Sequence, residues 1–447
     1  MAENSRPDRA KRFAAASLGL TFLLAPLLAA QDRPLTLDEA VKLALERNER
    51  SLATQEDVNA ANARVAQARS FFLPTITSSS TYTRRAYEVR RVVGDTEVVI
   101  SRFNGLAETL NLSLTLFDAT SMAGLSAVRS QRNSALAAAA EDQRQLAFEV
   151  SQAFLSTLGT YQVQEASARR FAFAKQSLEA AKARFAAGLT SINDVTRAEL
   201  EYATAEVGVT QVQGQVETST LELGYLLAAP DAVRGRLVVP EFLIEAASAE
   251  AANTEALVEE ALARRLDVGS LRYLASAQHA LAKVPMLDWL PTLGASYRYS
   301  ITNEPSFNNR NWNWTAGATL NWTLFDGLAR FGQRREQRAL AKLADLDLQA
   351  ATRRVDVEVR QALVSLTNQR ASLKQASVAQ DVARKNATET AELYRQGLAS
   401  ALQVADAIVS LFEAEVAFVQ ERYGLGVAFL NLEAALGLDP FGKEPRT

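Results

Sequence analysis

The sequence predicts a mainly α-helical chain with a transmembrane β part, built from two copies of one unit of helix, β-hairpin and helical hairpin. Three observations predict it. Residues Trp312 to Phe325 alternate strictly, with Trp312, Trp314, Ala316, Ala318, Leu320, Trp322 and Leu324 on one side and Asn313, Thr315, Gly317, Thr319, Asn321 and Thr323 on the other. Two long runs, 119–187 and 327–396, contain no proline and are rich in Ala, Gln, Glu, Arg and Leu. The helix, strand and hairpin signals also occur twice, in the same order and at matched spacing.

Successive strand side chains point to opposite faces, so the alternating run is one strand with an apolar face and a polar face. It exceeds the usual strand of about 5–6 residues and matches the about 9–11 residues that a tilted strand needs to cross hydrocarbon. Its apolar face carries Trp at both ends and Leu or Ala between, the order of an aromatic girdle around a lipid band. Trp312, Trp314 and Trp322, with Tyr297 and Tyr299 of the preceding strand, are the girdle candidates.

Composition removes most chemistry. The 447 residues carry a net charge of -3, include no cysteine and hold a single histidine, His279. Thiolate and histidine-based metal sites, cysteine nucleophiles and Ser-His-Asp triads are therefore excluded or reduced to carboxylate variants. The expectation is a protein that is not an enzyme and holds no cofactor or metal. Near-neutral charge gives no reason to expect a nucleic-acid partner. His279 lies in the helical run SLRYLASAQHALAKV and reads as a surface or packed histidine.

Taken in order, residues 1–30 read as a cleaved export signal: Arg6, Arg9, Lys11 and Arg12, an apolar stretch from Phe13 to Leu28, then Ala29 and Ala30. The first repeat spans 31–230. A helix from Leu37 to Ser70 stops at Leu73-Pro74-Thr75, and a weakly alternating strand, Ile76–Tyr82, follows. Val89–Ile100 contains a Gly94-Asp95 turn flanked by valines and is expected as a ribbon beyond the membrane. A second strand sets Leu110, Leu112, Leu114 and Leu116 against Asn111, Ser113 and Thr115, and ends in Leu116-Phe117-Asp118. After the long helix 119–187, Gly188 suits a left-handed helix terminus, Ser191-x-x-Asp194 reads as a capping box, and a return helix runs to 229.

Residues 231–253, with Val238-Val239-Pro240, form an equatorial linker expected to lie as a collar outside the helices. The second repeat spans 254–438. Its helix Thr254–Asp288 stops at Leu290-Pro291-Thr292, and Ala44, Leu45, Arg47 and Pro74 fall on Ala261, Leu262, Arg264 and Pro291 at one constant offset. Its strands cover about 292–325 and end in Leu324-Phe325-Asp326; the long helix 327–396, Gly397, the box Ser400-x-x-Gln403 and a return helix to 437 complete the copy. Residues 439–447, with Pro440, Gly442 and Pro445, read as a mobile tail.

Lengths decide the architecture. At 1.5 Å per residue each long helix would reach roughly 100 Å, and the return helix plus the helix before the strands, stacked end to end, match it. Four strands per chain cannot close a barrel, and open edges are not tolerated in lipid, so the chain must oligomerise. Eight strands would be nearly filled by side chains, so a conduit needs at least three copies.

The duplicated order of helix, Leu-Pro-Thr, strand pair, Leu-Phe-Asp and helical hairpin, with the turns FAAGLTSINDVTRAELEY and YRQGLASALQVADAIVS, resembles the TolC family of outer-membrane efflux channels over nearly the whole mature chain. The resemblance implies a homotrimer with a twelve-stranded barrel in the Gram-negative outer membrane, continuous with a long periplasmic α-helical barrel. It implies a passive exit duct of a tripartite efflux or type I secretion system, opened at its periplasmic tip on docking to an adaptor (membrane fusion) protein and an inner-membrane RND, ABC or MFS transporter. Gly188, Leu189, Thr190, Gly397, Leu398 and Ala399 match the adaptor-docking turns. Asp406 matches an acidic ring at the constriction, and Tyr394 and Asp194 match a pair that ties the closed tip by a hydrogen bond.

Two positions depart from the family pattern. Gln403 stands where some members have a second ring carboxylate, and Ala399 where some have an arginine. Asp194 and Gln403 also sit where a helix N-terminus uses a capping side chain. Asp406 gains meaning only where three copies face one another across a lumen, each raising the others' pKa and attracting cations. The spacing Leu146, Val150, Phe154, Leu158, Tyr161 reads as a packing seam, and Gly424-x-Gly426 lacks the preceding strand of a nucleotide loop. The alternative function is a periplasmic coiled-coil scaffold or adaptor without a pore.

Overall fold

The computed structural model describes residues 34–234, 236–248, 253–304 and 310–444. The expected export signal lies outside the described residues, as do parts of the linker and the last three residues of the tail. In chain order the elements are α1 (Leu37–Arg47), α2 (Glu49–Ser70), β1 (Thr75–Arg84), β2 (Val89–Val93), β3 (Thr96–Ser101), β4 (Asn104–Phe117), α3 (Ala119–Ala186), α4 (Ile192–Leu226), α5 (Glu241–Ser248), α6 (Thr254–Arg264), α7 (Leu266–Leu281), α8 (Val284–Leu287), β5 (Thr292–Thr302), β6 (Trp312–Asn321), α9 (Ala329–Arg395) and α10 (Ala401–Ala435).

β1, β4, β5 and β6 form one antiparallel sheet in the order β1-β4-β5-β6, so that β1 and β6 are its free edges. β2 and β3 pair separately as a ribbon whose turn residue Gly94 takes φ +66°. Both copies of Leu-Phe-Asp acquire a physical reason. Asp118 accepts hydrogen bonds from the Thr120 amide and the Ser121 hydroxyl, and Asp326 accepts from the Leu328 and Arg330 amides. Each aspartate thus satisfies orphan donors that open a long helix, Asp118 directly after β4 and Asp326 five residues past β6.

α3, at 68 residues, and α9, at 67, are the two rods. Along α3 lie α4 on one half and α1 and α2 on the other, with Arg50–Glu149 and Arg132–Asn62 contacts marking the second seam. α9 is matched by α10, α7 and α6. The two repeats are joined by α3 against α10 and α7, through Gln152–Asn431 and Ser134–Ser270.

The helix preceding each sheet pair is not continuous, contrary to the expected Leu37–Ser70 and Thr254–Asp288. Asn48 ends α1 and begins α2 with extended backbone, and Arg265, its counterpart in the second repeat, does the same between α6 and α7. Each break is fastened to the far end of a return helix. The Asn48 amide donates to the Leu226 carbonyl at 2.9 Å, and Arg265 backs onto Gly437, whose left-handed φ of +77° leaves no room for a β-carbon. Pro285 adds a further break before α8.

The main apolar core sits at this equator. Leu146, Val150, Phe154 and Leu158 of α3 are buried there with Leu37, Val41, Leu223, Leu227, Leu243, Tyr423 and Leu430, and Tyr161 packs against them. Gly426 belongs to the packing: a β-carbon there would lie 3.0 Å from Leu155. The tail is a correction. Asp439 closes a turn with Gly442 and Lys443, Pro440 is buried, and Phe441 stacks on Phe242 at 6.1 Å. An apolar contact to the collar helix α5 holds what proline and glycine alone suggested was loose. The second strand pair also ends early: β6 stops at Asn321 because its partner β5 begins at Thr292, just past Pro291, so Trp322, Leu324 and Phe325 lie beyond the ladder.

Charges at the equator fall into two kinds. Burial acts against the Arg265 charge, but the hydrogen bonds it donates to Asp267 and Glu358 outweigh it and hold the guanidinium above its usual range. Asp267 is lowered in turn: burial alone would raise it, and the Arg265 pairing prevails. Glu433 has no such partner, and its Oε2 is buried without a hydrogen bond. Burial first, then the Asp439 charge, push its carboxyl from 4.5 up to about 7, with Arg264 opposing. The folded chain therefore holds a proton that the unfolded chain releases near 4.5, and stability falls as pH rises from there toward 7.

Two expectations follow. Phe154→Ala, at a fully buried position, should cost about 3–5 kcal/mol and lower the thermal midpoint of the purified protein. Glu433→Gln should raise that midpoint at about pH 8 and leave it unchanged at about pH 4, where the carboxyl is protonated in both states.

Candidate functional site

The sheet is two-faced across all four strands. Register places Ile76, Leu112, Tyr297 and Ala316 in one row, and Ser78, Leu110, Tyr299 and Trp314 in the next. Leu114, Ala295 and Ala318 continue the apolar face toward the helices. Tyr297 stacks on Trp314 with ring centroids 6.1 Å apart, and Tyr299 on Trp312 at 6.4 Å, diagonal cross-strand pairs that fix the register. The opposite face reads Thr77, Asn111, Arg298, Thr315 in one row and Ser79, Thr109, Ser300, Asn313 in another. There Arg298 donates to Asn111 at 2.8 Å. Every residue of β1 and β6 is exposed, on both faces.

Two features of the sheet were missed from sequence. Glu108 continues the leucine alternation one step toward the ribbon and so falls on the apolar face, where the Ser78 and Ser80 hydroxyls donate to it. At the opposite end Arg330, only 3 % exposed, lies over the Trp289 ring at 4.6 Å and beside Asp288 and Asp326, while the Trp322 indole donates to the Trp289 carbonyl. Trp322 thus lies at the foot of the sheet, outside the ladder. The first repeat has no equivalent of this lock, because Phe72 and Met122 hold the corresponding positions.

The second candidate region is the pair of tight turns between the rods and their return helices. Gly188 and Gly397 adopt φ +71° and +80°, so each rod ends in the left-handed residue expected of it. Leu189 and Leu398 stand 77 % and 72 % exposed on these turns, with Thr190 and Ala399 beside them. The two helix starts differ. Ser400 and Gln403 form the reciprocal capping box. Ser191 makes no side-chain cap bond; Asp194 instead receives the Thr190 hydroxyl. The expected Ser191-x-x-Asp194 box is corrected accordingly: Thr190, one residue earlier, competes for the carboxylate.

Tyr394 is 8 % exposed and its hydroxyl has no hydrogen-bond partner, so the Tyr394–Asp194 bond is not made within the chain. Near the tip the hairpins are joined instead by Arg184, which sequence reasoning overlooked. Its guanidinium lies 4.3 Å from the Tyr394 ring centroid and donates to the Tyr394 and Arg395 carbonyls at 2.8 and 3.1 Å. A cation there neutralises the carbonyl end of α9. Asp406 is exposed on α10, one turn past the cap. His279 bonds Asp345 at 2.9 Å on the helix surface, away from both regions.

A two-faced sheet mounted on paired helical rods defines an outer-membrane channel subunit, and comparison with known proteins agrees. The family description "Outer membrane efflux protein" matches residues 40–229 and 257–438, and the chain belongs to that family, which includes TolC, in the Gram-negative outer membrane. Outer membrane protein TolC of Salmonella enteritidis is 24 % identical over 392 residues, 85 % of this chain and 77 % of that protein. The Vibrio cholerae TolC is 24 % identical over 401 residues, 87 % and 86 % of the two chains. Among solved structures, VceC of Vibrio cholerae superposes with TM-score 0.73 at 19 % identity over 90 % of this chain and 96 % of its own. The Campylobacter jejuni CmeC channel gives 0.75 at 16 % over 99 % and 95 %.

The unequal caps give a direct expectation. Ser400→Ala should cost about 1 kcal/mol of local helix stability and speed hydrogen exchange at residues 401–404 several-fold, whereas Ser191→Ala should leave the start of α4 unchanged.

Proposed function

We propose that this chain is the outer-membrane exit duct of a tripartite efflux or type I secretion system. The observation that carries the reading is the four-stranded sheet with one apolar face, one polar face and two unpaired edges. Three copies join β6 of one to β1 of the next and close a twelve-stranded barrel with lipid outside and water inside. The rods beneath continue the wall as a periplasmic tunnel, and the return helices and the broken helices fill its circumference.

The tunnel ends at the two turns. Asp406, exposed and without a partner in its own protomer, faces its two symmetry mates across the lumen and forms the ring that holds cations there. Gln403, Tyr394 and Asp194 lie around that ring. Leu189 and Leu398, exposed on rigid left-handed turns with small neighbours, are the surface to which a periplasmic adaptor docks, and the adaptor couples the duct to an RND, ABC or MFS transporter. Transport is passive here; energy comes from the inner-membrane partner.

Reconstitution into planar bilayers tests the reading. The purified trimer should give single channels, and Asp406→Asn should weaken block of the current by a polyvalent cation about tenfold or more. A monomer that conducts nothing and whose tryptophans are quenched from water and not from brominated lipid would overturn it.

A further inference from the structure

Between the two hairpins, above the tip, lies a cleft of about 840 Å³ bounded by α3 from Ala166 to Ala180, α9 from Arg384 to Arg395 and the facing side of α10. That volume suits a drug-sized molecule. Phe173, Ile408, Leu411 and Phe412 give it an apolar middle. Its ends differ. At the end away from the tip, the Glu415 carboxylate is shared: Arg169 meets one oxygen at 2.9 Å and Arg384 the other at 3.9 Å. Arg170 and Arg395 are held by Glu201 and Glu392. Two guanidiniums facing one carboxylate leave one positive charge over. At the tip end lies Tyr394, more than nine-tenths buried, whose hydroxyl has no partner.

We propose that this cleft binds an elongated anionic amphiphile, with a carboxylate or sulfonate head between Arg169 and Arg384, an apolar body along Phe173 and Ile408, and a terminal hydroxyl or carbonyl at Tyr394. Ten residues of helix separate Arg384 from Tyr394, about 15 Å of rise, which sets the length of the ligand. The head gains charge-assisted hydrogen bonds from two guanidiniums whose side chains stand half exposed at the mouth of the cleft. The tail satisfies the Tyr394 hydroxyl, one of the buried hydroxyls without a partner among the described residues. Every contact lies within one protomer, between its two hairpins, so the site is complete without a neighbouring copy.

ω-Hydroxydodecanoate, titrated calorimetrically into amphipol-held protein, is the probe. It should bind saturably, one per chain, and dodecane diol, of the same length without charge, should bind about tenfold or more weakly. Arg169→Gln with Arg384→Gln should abolish the difference between the two. The isosteric Tyr394→Phe should weaken ω-hydroxydodecanoate several-fold and leave plain dodecanoate unchanged. Equal binding of acid and diol by the unaltered protein overturns the proposal whatever the variants do, as does the absence of saturable binding.

Discussion

Backbone hydrogen bonding at the two sheet edges is the constraint from which the rest follows. β1 and β6 each present a row of amide and carbonyl groups that no strand among the described residues pairs with. In water such groups are solvated; in hydrocarbon each unsatisfied one costs several kcal/mol, so ten-residue edges in lipid require neighbouring strands. The side chains agree with that demand. An apolar face with stacked Tyr-Trp pairs suits lipid, and Thr, Ser, Asn and Arg298 on the other face suit water.

The helices answer a different problem: how to carry a wall far from the membrane without a globular core to support it. A single rod of nearly seventy residues has more side surface than one return helix covers. Two shorter helices laid end to end cover it, and their junction is where the chain must turn and pack. That junction is the equator. Asn48 and Arg265 break their helices there, Leu226 and Gly437 end the return helices there, and the largest buried residues gather around them. The buried Arg265, Asp267 and Glu358 group belongs to the same joint, since charges that far from water persist only in mutual contact.

Much of this was legible because the duplication tests every reading twice. Strand alternation, Leu-Phe-Asp, the rods and both left-handed glycines stand where the residue pattern puts them, each resting on a local rule of period, capping or φ. What escaped depends on contacts distant in sequence. Asn48 carries a recognisable capping side chain, but Arg265 does not, and its break is set by Gly437 and Glu358. Arg184 is one arginine among many on α3; only the fold brings it under the Tyr394 ring. Ser191 satisfies the capping pattern, yet the Asp194 carboxylate accepts from the Thr190 hydroxyl instead of the Ser191 amide, a choice that spacing cannot decide. Phe441 looked mobile between proline and glycine until α5 supplied an aromatic neighbour.

Stability is distributed in a way that suits a duct with one fixed end and one adjustable end. The equator holds the continuous cores and the buried ion pairs, whereas the clusters near the tips contain a few small residues each: Ala181, Val195 and Ala198 in one hairpin, Tyr394, Ala401 and Val404 in the other. Between those hairpins the protomer offers Arg184 and the Glu415 pairs across a cleft instead of a packed seam. Breaking a few polar contacts costs far less than separating a core, so relative movement of the hairpins is cheapest at the end away from the membrane. Packed contacts therefore gather at the equator and sparse ones at the turns, with the long α-helices running between the two.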